Sequence, residues 1–160
     1  MSAHKVESMW MGGMKFNALV EGHTIVMDTP TRVGGTDEGP IPKPFLLTAL
    51  SGCTGMDVLA LLKKQNIALE AFEVDVTGEL TKSVPIMYSE IAVNYTVSVE
   101  DSASEAVVNA VKRSQGGLCG VIAMIKQVVP ISWKILFNGK EIASGLTTAN
   151  ENTKADQLAV

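Results

Sequence analysis

The chain has 160 residues, 46% of them hydrophobic and 19% charged, which is enough for one domain with a substantial core. Its net charge of −4 at pH 7 argues against a nucleic acid or an anionic membrane as partner, as does the absence of any Lys/Arg run longer than an adjacent pair. There is no basic segment followed by an apolar stretch at the N-terminus and no uninterrupted apolar run of the roughly 20 residues that span a bilayer, and two cysteines without a signal fit a reducing, cytoplasmic location.

Three short β-prone runs open the chain: Val6 to Trp10, Lys15 to Val20 and His23 to Asp28. Gly12-Gly13 and Glu21-Gly22 separate them as turn signals. A breaker-rich loop from Thr29 to Pro42 follows, with Pro30, Gly34, Gly35, Gly39, Pro40 and Pro42; loops of that length are often functional. Residues 42–65 then predict a helix, with Pro44 suited to its first turn and Lys63-Lys64 to its last. Apolar residues cover nearly all of its faces, so it is expected to be central and buried. Gly52 and Gly55 flank Cys53-Thr54 and would let another backbone or a substrate come close.

Two alternating strands come next. Phe72, Val74 and Val76 oppose polar neighbours in the first. Ile91, Val93, Tyr95, Val97 and Val99 line one face of the second, so the sheet has one face on a core and one in water. Ser102 and Glu105 form a capping-box signature, ahead of a helix with Ala103, Ala106, Val107, Ala110 and Val111 on one face. Gln115-Gly116-Gly117 breaks that helix before Cys119 and a short apolar helix from Val121 to Lys126, which Pro130 stops. Ile131, Trp133, Ile135 and Phe137 alternate as a strand, and Asn138-Gly139 is a hairpin signal. The order βββ–α–ββ–αα–β with an antiparallel sheet is α+β. Residues 1–143 read as one domain, and 144–160, without periodicity, as a flexible C-terminal tail.

Chemistry rests on the two cysteines. Each reads from its spacing alone either as a small core hydrophobe or as a tuned thiol, and together as an attacking and a resolving pair. Leu46, Leu50, Cys53 and Asp57 share a helix face, which puts Asp57 one turn from the Cys53 sulfur. A carboxylate there raises a thiol pKa unless a cation offsets it, and Lys15, Arg32 and Lys43 are the candidates. Cys119, at a helix N-terminus, has a local field that favours a thiolate. Two distant cysteines with His4 and His23 do not make a zinc motif, so no metal or cofactor is expected. The histidines read as turn or surface residues, Asp37-Glu38 as a solvated loop face or a lid contact, and Gly34-Gly35 lacks the GK[ST] of a phosphate loop.

The stretch GPIPKPFLLTALSGCTGMDVLALLKKQ (39–65) resembles the first-cysteine helix of the OsmC/Ohr superfamily, and RSQGGLCGVIAMI (113–125) resembles its second-cysteine motif. With GGMKF (12–16) and the intervening strands, the resemblance covers residues 5–140 and is closest to the OsmC-like branch. It implies an α+β OsmC-like fold, with antiparallel sheets wrapped around central helices in an intertwined homodimer. It also implies a thiol-dependent peroxidase with an antioxidant, stress-response role, whose partners are an organic hydroperoxide and an external dithiol reductant. Cys53 would be the peroxidatic and Cys119 the resolving thiol, with Leu46, Leu50 and Met56 suiting an organic peroxide's tail. The chain departs from the family at two places. Lys43-Pro44 stands at the position of the family's glutamate, and Gly12-Gly13-Met14-Lys15 at that of the hairpin arginine. Lys15 would supply a point cation and not a bidentate fork; Arg32, at the end of the third strand, is the second candidate. The alternative reading is a non-catalytic protein of the same fold that binds a small apolar ligand or senses redox state.

Overall fold

Strands β1 (Val6–Trp10), β2 (Phe16–Val20) and β3 (His23–Met27) form an antiparallel sheet in the order β1-β2-β3, with Trp10 opposite Phe16 and Val20 opposite His23. The computed structural model describes residues 3–149. Its chain falls into two compact units, Met1–Leu46 and Leu47–Val160. In the N-terminal unit only Ala18 among the described apolar side chains is buried, while Val6, Met9, Trp10, Phe16 and Leu19 are exposed.

Asp28, 1% exposed, organises the loop after β3. Its carboxylate accepts hydrogen bonds from the Thr29 N–H at 2.8 Å, the Thr36 N–H at 2.9 Å, the Thr36 hydroxyl at 2.8 Å and the Glu38 N–H at 3.3 Å. Burial pushes this carboxyl up, but those four donors outweigh it and bring the pKa down to about 2 from 3.8. A depressed carboxyl contributes stability above its unfolded pKa and loses it as pH falls through the folded one. The Asp28 contribution is therefore complete above pH 3.8 and disappears towards about pH 2. The Thr29, Thr36 and Glu38 amide resonances are expected to titrate with a midpoint near 2, and a midpoint at 3.8 or above would show that the bonds do not hold the ionised form. Arg32 sits in this loop, on a single 3-10 turn (Thr31–Val33), and not at the end of a strand.

Helix α1 (Phe45–Lys64) starts directly after Pro44 and ends on the two expected lysines. Leu50, Thr54, Gly55, Val58, Leu61 and Leu62 are buried. The all-round burial expected from its apolarity is not found: Leu46, Leu59 and, at 72% exposure, Met56 are open in the single chain. Gly55 packs against Val74 and Phe72, as a small residue should, whereas Gly52 faces open space. Among the described residues α1 alone has the length and apolarity to cross a membrane. A run-length criterion passes over it because Thr48, Ser51, Thr54 and Asp57 interrupt the apolar sequence, and its buried face suits a core helix.

The second sheet has the order β4-β5-β6-β7, built from Ala71–Leu80, Tyr88–Ser98, Ile131–Phe137 and Lys140–Thr147. Period-two alternation works as expected: Ile91, Val93, Tyr95 and Val97 of β5 and Ile131, Trp133, Ile135 and Phe137 of β6 are buried. The sheet is not wholly antiparallel, since β5 and β6 run parallel. A parallel pair needs a crossover connection, here made by α2 (Ser104–Arg113) and α3 (Gly120–Ile125). The capping box is also corrected. A 3-10 turn over Asp101–Ala103 precedes α2, and its N-cap is Ala103 with no side-chain bond. Strand β7 continues to the buried Thr147, past the point where the tail was expected to start; residues 150–160 of that tail lie outside the described residues.

Gly145 of β7 lies opposite Trp133 of β6. A Cβ there would come within 2.5 Å of the indole Cζ2. Gly145→Ala is expected to displace Trp133 and to cost about 1–3 kcal/mol, as overpacking does. Urea denaturation followed by tryptophan fluorescence checks it; an unchanged midpoint would mean that the ring moves freely.

Candidate active site

Cys53 lies in the middle of α1, and Cys119 is the N-cap of α3. Between α2 and α3 the chain makes a wide π-type turn over Ser114–Leu118, where Gly117 takes φ 136°. That angle belongs to glycine. It reverses the backbone so that Cys119 faces α1, and the glycine pair read as a helix breaker is thus the hinge that places the second sulfur. The two sulfurs are 2.7 Å apart as free thiols, with Cys119 donating to Cys53. Cys53 is half-buried and Cys119 fully buried.

The expected thiolate-favouring field at Cys119 is present, but burial outweighs it. The Ile122 N–H does reach its sulfur, at 3.5 Å. Burial nevertheless pushes the thiol up to about 12, with its hydrogen bond to Cys53 acting in the same direction. Two backbone donors at the end of a six-residue helix do not offset the loss of water. Cys119 therefore keeps its proton and offers it to the neighbouring sulfur.

Asp57 completes a cluster with the pair: its carboxylate and the two sulfurs lie within 4.8 Å of one another. Burial holds its carboxyl above the ordinary range, opposed by a hydrogen bond from the Ser114 hydroxyl at 3.1 Å to Oδ2. Ser114 and Thr54 share a hydrogen bond of 2.8 Å, and Thr54 also bonds the Tyr95 hydroxyl. Gln115 donates to Tyr95 at 2.8 Å and accepts from Thr147 at 3.0 Å. Burial raises the Tyr95 phenol to about 12, so it stays neutral in this chain of bonds. The chain ends at a cavity of about 340 Å³ lined by Gln115, Thr147, Trp133 and Lys112 among others. Sequence reading missed Thr54, Tyr95, Ser114 and Gln115 as site residues. Their only signal is polarity at positions whose periodicity demands burial.

Lys15 belongs to the N-terminal unit and is held by Glu38 at 2.9 Å. That contact, with the Thr36 hydroxyl, lowers the Glu38 pKa. Asp37-Glu38 is thus in part an ion-paired face. Arg32 is exposed in the same unit. His4 pairs with Glu21 at 3.0 Å on the surface, and His23 is exposed at the start of β3. Of the residues suited to a substrate tail, Leu50 is buried in the core while Leu46 and Met56 are exposed.

Two sheets, a long cysteine-bearing helix and a second cysteine capping a short helix define an α+β protein of the OsmC type. The chain belongs to the OsmC-like protein family, whose model matches residues 35–134. Protein YhfA of Escherichia coli K12 is 30% identical over 124 residues, which cover 77% of this chain and 90% of the relative. A hypothetical protein from Aquifex aeolicus has a crystal structure that matches at a TM-score of 0.71 and 27% identity, over 86% of this chain and 98% of that one. An organic hydroperoxide resistance protein OsmC from Legionella pneumophila shares the fold at a TM-score of 0.57 and 14% identity, over 84% of this chain and 97% of that one.

Proposed function

We propose that the protein is a thiol-dependent peroxidase that reduces organic hydroperoxides through Cys53 and Cys119. The observation that carries this reading is the 2.7 Å separation of the two free sulfurs. A disulfide needs about 2.05 Å, so closure asks for a further approach of less than 1 Å. Exposure supports a division of roles. Half-buried Cys53 attacks, and buried Cys119, whose S–H donates to it, resolves. Cys53 thiolate attacks the distal peroxide oxygen, the O–O bond breaks, and the leaving alkoxide takes a proton to become the alcohol. The Cys53 sulfenic acid then condenses with the Cys119 thiol, forming the disulfide and water, and an external dithiol reduces it.

Lys15 and Arg32 are the proposed sources of a cation for the thiolate, and Lys15 must first leave Glu38. A cytoplasmic homodimer is part of the proposal, supported by the exposed Leu46, Met56 and Leu59 of α1. The test is the intact mass and thiol count of the reduced protein before and after one equivalent of cumene hydroperoxide. Loss of two thiols within seconds, with a Cys53–Cys119 disulfide, is expected. Two thiols intact after minutes would overturn the reading.

A further inference from the structure

The same three side chains also form a metal-ligand set. Two thiols and a carboxylate, with all three ligand atoms within 4.8 Å of one another, match the three-residue donor set of an open tetrahedral site. We infer that the reduced protein binds one thiophilic divalent cation of the zinc class through Cys53 Sγ, Cys119 Sγ and Asp57 Oδ1. This inference stands on the geometry whether or not the protein reduces hydroperoxides.

Metal–sulfur bonds of about 2.3 Å at a tetrahedral angle set the sulfurs roughly 3.8 Å apart. They are now 2.7 Å apart, so binding widens the pair by roughly 1 Å. The supporting contacts are in place. Ser114 donates to Asp57 Oδ2, which fixes the carboxylate and leaves Oδ1 to the cation, and the Ile122 N–H donates to Cys119 Sγ. Two sulfur donors select zinc, cobalt or cadmium over magnesium and calcium, which prefer all-oxygen shells. The fourth position is open to water. Binding replaces the two S–H protons by two metal–sulfur bonds and releases both protons. No electrons move, so the sulfurs stay reduced. A cation held this way keeps the sulfurs apart and excludes the disulfide.

The test uses the full-length, reduced, metal-free chain under anaerobic conditions, titrated with Co²⁺ and then with Zn²⁺. One equivalent of Co²⁺ is expected to produce thiolate-to-cobalt charge transfer in the near ultraviolet and the intense visible bands of a four-coordinate ion. One equivalent of Zn²⁺ should abolish both, and excess Mg²⁺ neither. Cys53→Ser should remove most of the charge-transfer intensity, and Asp57→Asn should weaken Zn²⁺ binding by roughly tenfold or more. Circular dichroism controls for folding of the two variants. Absence of a charge-transfer band in the wild type would overturn the inference. So would an Asp57→Asn variant with wild-type affinity, because the pair would then act only as an adventitious dithiol.

Discussion

Replacing Cys53 by serine is expected to lower hydroperoxide turnover by a factor on the order of 10³ or more, the scale seen when a covalent nucleophile is removed. A serine hydroxyl is not ionised at neutral pH, and among the described residues no general base is bonded to residue 53 to activate it. Cys119→Ser should behave differently. The serine O–H still reaches Cys53, so the first step survives for a single turnover and stops at a sulfenic acid that dimedone traps on Cys53. The buried position of residue 119 keeps any external thiol from doing its work quickly. Stopped-flow consumption of cumene hydroperoxide, with mass mapping of the dimedone adduct, separates the two outcomes. Wild-type turnover in Cys53→Ser would end the peroxidase reading, and an adduct on residue 119 of the wild type would reverse the assigned roles.

The second large effect is expected at Thr54, which lies one residue from Cys53 but acts through the fold. Its hydroxyl bonds both Tyr95 and Ser114 in a site with no exposed surface. Thr54→Val keeps the shape and deletes both bonds. At about 1 kcal/mol each, with a further cost for two buried hydroxyls left partly satisfied, the loss should be about 2–3 kcal/mol. For a chain of this size that lowers the melting temperature by roughly 4–12 °C. Tyr95→Phe removes one of the same bonds and deprives the Gln115 amide of its acceptor. The double variant should therefore lose less than the sum of the singles, by about 1 kcal/mol. Strict additivity in thermal or urea denaturation would show that the hydroxyls do not share a bond.

Much of the fold is legible because its signals are local. Strand β5 announces itself through Ile91, Val93, Tyr95 and Val97 at every second position, and burial follows that pattern residue by residue. Lys63-Lys64 end α1 where the charges favour an end. Local signals also misled. Ser102 and Glu105 have the right spacing for a capping box, but a 3-10 turn over 101–103 moves the helix start to Ser104. The apolar circumference of α1 suggested burial on all sides, yet Met56 is open, since residue pattern fixes which face can be buried and not what covers it. The parallel pairing of β5 with β6 could not be read from either strand, because alternation looks alike in both orientations.

The candidate site divides in the same way. The sequence by itself determined which two residues could do thiol chemistry, and the glycine pair beside the second marked a reversal of the chain. Only the tertiary structure decided that sulfurs 66 residues apart meet at 2.7 Å, that Asp57 joins them, and that Ser114, Thr54 and Tyr95 tie the cluster into the core. It also decided the state of Cys119. Helix N-termini favour thiolates, but in this chain burial is the larger effect and lifts the thiol to about 12. The reason is one of range. Turn chemistry, periodicity and capping act within four residues of a position, whereas proximity and desolvation depend on every element that packs against it.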